Sequence, residues 1–500
     1  MKLVEIAHTA GREFTARQSR SERRDAGQYM TPPSIARFMA RRLVAGVTTR
    51  VVRILEPSAG AGILASAVVE ALIALPSRPA HIDLLMFEKD PRLIPVLEDL
   101  ASQMAQTCKG AGVVLDWVVR CEDFLLSDLA VNGQPIDSLL TIANPPFFKI
   151  NKSTDPRAHH HAYAVYGQPN VYGLFMAACA RLTAPNGRWC FIVPRSWMNG
   201  QYFQAVRQSM FRYLAIDSLH AFESRTDSFE ADKVLQETAI IWASGRIATT
   251  SCPSISLTRS QGVSDLESAA YQMLAVEQVI ANDESAIVSL PTKGTELLAG
   301  LRATLSSHGL KVSTGPVVAF RAQHFICEIS KVDTVPLLWL QHVRQQQVCW
   351  PIQKKREHIR VCDLSAWMLV ANEPMVLVRR FSPKEDHRRV TCAPYVDLLP
   401  SPLLGLENHL NYIRRPSGQM SAREVRGLAA FLSSSVVDAY FRSLAGSTQV
   451  NAAELRRLPV PSMAVIEYIG AHVSSNPDLI EIDNIVSHAL ASESLDRLAA

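Results

Sequence analysis

No Cys-x-x-Cys pair, no apolar run long enough to cross a bilayer and no phosphate loop with its basic residues occurs in this 500-residue chain. The nine cysteines are scattered singly and are odd in number, which excludes a full disulfide framework and fits a reduced, cytoplasmic setting. The missing signal pattern and apolar span argue against secretion and membrane insertion. His159-His160-His161 has neither cysteine partners nor an i, i+4 histidine pair, so a solvated loop and no metal are expected. Net charge is only +4, too small to mark the whole chain as a polyanion binder.

What is present suits two or three domains with sizeable cores: 48% of residues are hydrophobic and 20% charged. Val51 to Leu55 reads as a buried parallel strand, Glu56-Pro57-Ser58-Ala59-Gly60-Ala61-Gly62 as a turn, and Ile63 to Leu75 as an apolar helix. Glycines after a first strand let a ligand approach the backbone closely. The third glycine of the dinucleotide fingerprint is absent, which argues against NAD.

Three further strands end in chemistry. Leu84 to Phe87 runs into Glu88, placed where a ribose diol is bound in a doubly wound fold. Val113 to Val119 leads to Asp123, an acceptor for an adenine amine, and Phe124, a cover for its ring. Leu139 to Ala143 ends in Asn144-Pro145-Pro146-Phe147, a rigid turn carrying a carboxamide and an aromatic ring. A ring-conjugated amine is a poor nucleophile because its lone pair is delocalised. The Asn144 side-chain oxygen and the Pro145 carbonyl are acceptors able to localise it, while Phe147 stacks on the base. Ligands of such sheets bind at the carboxyl ends of the strands, where all four motifs fall.

At these residues the chain resembles the type II adenine-N6 DNA methyltransferases whose cofactor motifs precede the catalytic motif. Gly27-Gln28-Tyr29-Met30-Thr31-Pro32-Pro33 looks like that family's N-terminal cofactor motif. The resemblance implies an α/β, Rossmann-like, mostly parallel seven-stranded sheet that binds S-adenosyl-L-methionine. It carries cofactor roles to Tyr29, Thr31, Glu56, Pro57, Ser58, Ala59, Gly60, Gly62, Glu88, Asp123 and Phe124, and catalytic roles to Asn144, Pro145, Pro146 and Phe147. Asn170 to Met176 and Gly187 to Pro194 look like framework helix and strand. Phe229, five residues before Val234, matches the aromatic that contacts the extruded base, with Phe222 as its competitor.

Asn408 to Ile413, Gly446 to Asn451 and Glu454 to Pro461 narrow the likeness to the PstI and BsuBI group of type II modification methylases. From Gln341 to Cys392, ten Lys or Arg face five Asp or Glu, so the positive surplus is concentrated there. Lys354, Lys355, Arg356, Arg379, Arg380, Arg388 and Arg389, interleaved with Trp350, Trp367 and Phe381, are the expected DNA contacts. A basic segment from Arg12 to Arg24 reads as either a DNA-contacting arm or a solubilising lead-in.

Residues 1–245 are expected to be catalytic, 246–315 a connector with helical periodicity at 266–280 and 294–305, 316–465 a mixed α+β DNA-recognition domain, and 466–500 a helical tail. The implied partners are double-stranded DNA and, functionally, a cognate restriction endonuclease; no membrane is expected. A monomer acting on each strand in turn fits, which leaves the oligomeric state open. Methylation of cytosine N4, of RNA or of a protein glutamine uses a similar turn and stays as the alternative. No convincing Pro-Asp followed by an acidic-x-Lys triplet marks a fused nuclease, and a purely binding role leaves the Asn144 turn without purpose.

Overall fold

The computed structural model describes residues 2–18, 30–223, 238–247, 254–292, 294–298, 301–353, 356–382, 386–444 and 449–499. It divides into two compact units, Met1–Leu290 and Pro291–Ala500.

In the first unit, α1 (Leu3–Ala16) and α2 (Pro33–Val44) precede β1 (Val51–Glu56), α3 (Ile63–Ile73), β2 (His81–Phe87), α4 (Ile94–Gly110), β3 (Val114–Arg120) and β4 (Leu139–Ala143). Then come α5 (Val171–Leu182), β5 (Arg188–Pro194), β6 (Leu214–Phe222), β7 (Thr238–Gly245), β8 (Ser254–Ser260) and β9 (Tyr271–Ala275). The sheet order is β3-β2-β1-β4-β5-β7-β6-β8-β9. β1 to β5 are parallel, β7 is antiparallel to β5 and β6, and β8 is parallel to β6. The expected seven strands are all present, and β8 and β9 extend the sheet to nine.

The sequence dictates this order through burial. β4 is buried at all five positions and β5 at six of seven, as strands covered on both faces must be. α3 packs against α1, α2 and α4 and is apolar almost all round, so it carries little amphipathic contrast. Chain order reverses between β1 and β4, which opens a crevice at their carboxyl ends. Gly62 caps α3 with φ +79°, and a Cβ there would lie 2.7 Å from Leu100 Cδ2. Glycine is required at that position by both backbone and neighbour.

The expected connector is divided between the two units: residues 246–290 belong to the first, and β8 and β9 complete its sheet. The helical expectation for 266–280 gives way to β9 and a single turn, Val276–Val279, because pairing with β8 satisfies the β9 backbone while only Leu274 of that strand is buried. At 294–305 the described helix is one 3-10 turn, Glu296–Leu298.

The second unit holds a four-stranded antiparallel sheet ordered Lys311–Thr314, Leu410–Arg414, Met375–Arg379, Cys392–Tyr395, and a five-stranded mixed sheet. Residues 421–444 form two helices, Ala422–Ser433 and Ser435–Ser443, because the Ser434 side chain caps the second by accepting from Val437 N. No helix among the described residues is long and apolar enough to cross a membrane.

Candidate active site

The crevice opens into a pocket at these strand ends. Thr31, Glu56, Pro57, Ser58, Ala59, Gly60, Glu88, Asp123, Phe124, Asn144 and Pro146 all line it, so residues spread over more than a hundred positions converge on one space. Gly62 shapes the turn from outside this lining, and Tyr29 lies outside the described residues while Met30 beside it lines the cavity.

Each acidic residue has a structural partner. Glu88 is 6% exposed, and its Oε2 accepts from Gly60 N and its Oε1 from Asp90 N, both at 2.8 Å. The carboxylate thus clasps the glycine turn to β2 and keeps one acceptor position on each oxygen. Glu56, at 1% exposure, accepts from Ala65 N at 2.8 Å. Burial pushes the Glu56 carboxyl well above the usual carboxylate range, with the Glu88 charge adding to it, and burial also raises Glu88. Asp123 Oδ1 accepts from Leu125 N at 3.0 Å. Gly60 has φ +54°, and the nearest atom to a Cβ there is Met30 Sδ at 3.8 Å, so the glycine leaves room on the cavity side.

The Asn-Pro-Pro-Phe corner follows the buried β4. Asn144 Nδ2 donates to Thr31 Oγ1 at 3.1 Å, which orients the carboxamide. Pro145 is buried, whereas Asn144, Pro146 and Phe147 are half-buried. Phe147 stands outside the cavity lining and meets Tyr172 edge to face at 5.8 Å. Tyr172 stacks on Phe203 at 5.0 Å, and its hydroxyl is 2.7 Å from Ser196 Oγ. The corner therefore presents its carboxamide to the cavity and its aromatic ring to a separate aromatic cluster.

Several lining residues escaped the sequence reading. Phe175 of α5 stacks on Phe124 at 5.6 Å. Arg157 forks onto Asp155, with Nε to Oδ1 at 2.9 Å and NH2 to Oδ2 at 2.6 Å, and its NH1 reaches Asp123 Oδ2 at 3.4 Å. The Arg157 fork holds Asp155 below the usual carboxylate range. The short helix Pro156–His160, capped by Asp155, stands where a solvated loop was expected, and His161 is fully buried with Nε2 2.8 Å from Leu125 O. Asp155-Pro156 was the available signal, since an Asp before a Pro marks a helix start.

Other expectations need correction. Phe222 is fully buried in the core against His220, so it has no face for an extruded base, while Phe229 lies outside the described residues. Lys354 and Lys355 also lie outside them. Arg389 is 4% exposed and donates to Ser382 O, and Arg388 pairs with Asp483 at 2.5 Å, so both hold the second unit together rather than meet phosphates. Arg379 Nε donates to Val343 O at 2.5 Å and Arg380 NH1 to Asn408 O at 3.3 Å. Arg356 remains exposed beside Glu328. Of the basic N-terminal segment, residues 12–16 are helical in α1, and Arg20, Arg23 and Arg24 lie outside the described residues. His81, Asp83 and Asp116 gather at the opposite ends of β2 and β3, partly exposed.

With this geometry in view, comparison places the chain. The model of the Eco57I restriction-modification methylase family matches residues 140–229, from within β4 through the Asn144 corner and beyond. Type II methyltransferase M.BsuBI of Bacillus subtilis is 30% identical over 484 residues, covering 94% of this chain and 95% of that protein. Type II methyltransferase M.PstI of Providencia stuartii is 28% identical over 480 residues, covering 93% and 92%. The chain belongs to the type II modification methyltransferases. It is an enzyme of restriction-modification that methylates DNA at specific sites. In this methyltransferase the matched corner and the glycine turn share one cavity.

Proposed function

We propose that this methyltransferase transfers a methyl group from S-adenosyl-L-methionine to N6 of adenine within a short double-stranded DNA sequence. The observation that carries the reading is that Asn144 and Pro146 line the same cavity as Gly60, Glu88 and Asp123. The cavity suits that donor by charge and by shape. Its lining has four acidic side chains, the buried Glu56 and Glu88, which favour the protonated form until a cation arrives, and Glu122 and Asp123, against Lys89 and Arg157, which favours a cationic ligand and disfavours a phosphate. Ile63, Leu64, Phe124, Val171 and Phe175 supply apolar walls for a flat ring.

When bound, the donor supplies a methyl group on a sulfonium that is already a good leaving group. The protein's own part is alignment and acceptors. Glu88 offers its remaining lone pairs to a ribose diol, and Asp123 accepts from a purine amine. Glu56 and the glycine turn face the methionine part. Adenine must leave the duplex to reach the corner, at an unstacking cost of a few kcal/mol. Asn144 Oδ1 and the Pro145 carbonyl then take the two amine hydrogens, and Phe147 lies against the base face, with Phe229 as the second aromatic. Double-stranded DNA is bound by the second unit through exposed cations such as Arg356, and the modification protects sites from a cognate restriction endonuclease.

Tritiated methyl incorporation into plasmid, followed by mass spectrometry of its nucleosides, tests the reading. N6-methyladenine is expected. N4-methylcytosine, or label found only in RNA or protein, overturns the adenine assignment. Protection of the treated plasmid from a sequence-specific nuclease then separates modification from occupancy.

A further inference from the structure

Arg157 is tied to two parts of the site at once. Its guanidinium lines the cavity, donates NH1 to Asp123 Oδ2 at 3.4 Å, and is locked by a two-point fork onto Asp155. The same guanidinium sits 5.4 Å from the centre of the Phe148 ring, with Lys89 Nζ 5.6 Å from that centre. Phe148 follows the Asn-Pro-Pro-Phe corner directly, and its carbonyl accepts from Val171 N at 2.9 Å, at the start of α5. The Asp155, Arg157 and Asp123 side chains are only 14%, 19% and 21% exposed, so solvent screens these contacts weakly.

Resting on the donor reading above, we propose that Arg157 is a specificity-determining positioning residue, fixing the Asp123 carboxylate so that the donor pocket selects a 6-amino purine over a 6-oxo purine. The chemistry is one of lone pairs. Asp123 Oδ1 is held by Leu125 N and Oδ2 by Arg157, which fixes the plane of the carboxylate and leaves one acceptor position on each oxygen. Such a group meets the hydrogens of an exocyclic amine and repels an oxo oxygen. Without the guanidinium, the carboxylate keeps only its backbone anchor, can turn, and can admit a bridging water that an oxo group accepts from. Discrimination is then lost even though the pocket remains.

Calorimetric titration of the full chain with S-adenosylhomocysteine and with its deaminated counterpart, S-inosylhomocysteine, reads this without any turnover. Wild type is expected to prefer the amino compound on the order of 100-fold, the scale of a hydrogen bond to a charged acceptor. Arg157→Met is expected to weaken the amino compound about tenfold and to bring the preference below about tenfold, with Arg157→Lys falling between because it keeps the charge but loses the fork. General damage to the fold weakens both ligands alike and preserves their ratio. An unchanged ratio in Arg157→Met therefore overturns the assignment while leaving the donor reading intact. A wild-type chain that binds neither compound overturns the donor reading, and this assignment with it.

Discussion

Buried charge serves opposite ends in the two units. In the first, Glu56 and Glu88 are almost wholly buried yet line a cavity, and their backbone partners leave acceptor positions unused. In the second, Arg389 is buried to a similar degree and donates to Ser382 O; Glu357 likewise accepts from Ile352 N and Gln353 N and lies 2.9 Å from His342 Nε2. A buried charge with spare hydrogen-bonding capacity facing a cavity is poised for a ligand, whereas one absorbed by backbone is a strut.

The sharpest way to break this contrast is at the corner itself. Asn144→Ala is expected to lower methyl transfer by at least about 1000-fold while donor affinity stays within about threefold, because the carboxamide acts on the target amine. Tritium incorporation measured beside donor titration checks this, and full activity in the variant refutes the role.

A second test separates the two glycines. Gly62→Ala is expected to cost about 3 kcal/mol of unfolding free energy, since it combines a left-handed φ with a clash against Leu100. Gly60→Ala, where only the φ is awkward, is expected to cost about 1 kcal/mol. Denaturant titration of both variants reads the difference, while Gly60→Trp is expected to abolish donor binding by filling the cavity.

The strut and the exposed cation can be told apart in the second unit. Arg389→Met is expected to lower stability by about 2 kcal/mol through a lost buried hydrogen bond and lost packing. Arg356→Ala is expected to leave stability within about 0.5 kcal/mol but to reduce the salt dependence of DNA binding by about one counterion. Loss of stability in the Arg356 variant, or a change of salt slope in a folded Arg389 variant, would reverse their assignments.

The mildest expected effect is of pH. The folded-state values of Glu56 and Glu88 are raised, so their contribution to stability is full below the ordinary carboxylate range and is lost as pH rises through the raised values. A cationic donor favours the ionised carboxylates. Saturating S-adenosylhomocysteine lacks the sulfonium but retains the ammonium, and it is expected to raise the melting temperature by a few degrees more at about pH 8 than at about pH 5. Equal shifts at both values would remove these carboxylates from the donor site.

The strand ends were legible because each carries its chemistry within a few residues of an apolar run. Val51 to Gly62, Leu84 to Glu88 and Leu139 to Phe147 announce both a strand and the functional turn or acid at its end, and parallel topology then brings those ends together. Arg157 carries no such local mark; its importance arises from reaching Asp123, thirty-four residues earlier in the chain. The basic stretch misled for the same reason in reverse. Arg388 and Arg389 look like a phosphate clamp until Asp483 and Ser382 close on them, partners that a charge count does not see. β9 reads as helix in the sequence because Leu274 is its one buried residue, leaving no alternation to detect.

Glu88 joins two amides with its two oxygens, one from the glycine turn and one from the segment after β2. A glutamine there would offer one oxygen and turn an NH2 toward the hydrogen of the other amide, so the most conservative replacement is also a geometric misfit. Two acceptor oxygens at this point are thus demanded by the path of the main chain before any guest arrives. A redesign that seeks a different guest has to rebuild the loop first, which makes this acid a hinge between inheritance and specificity.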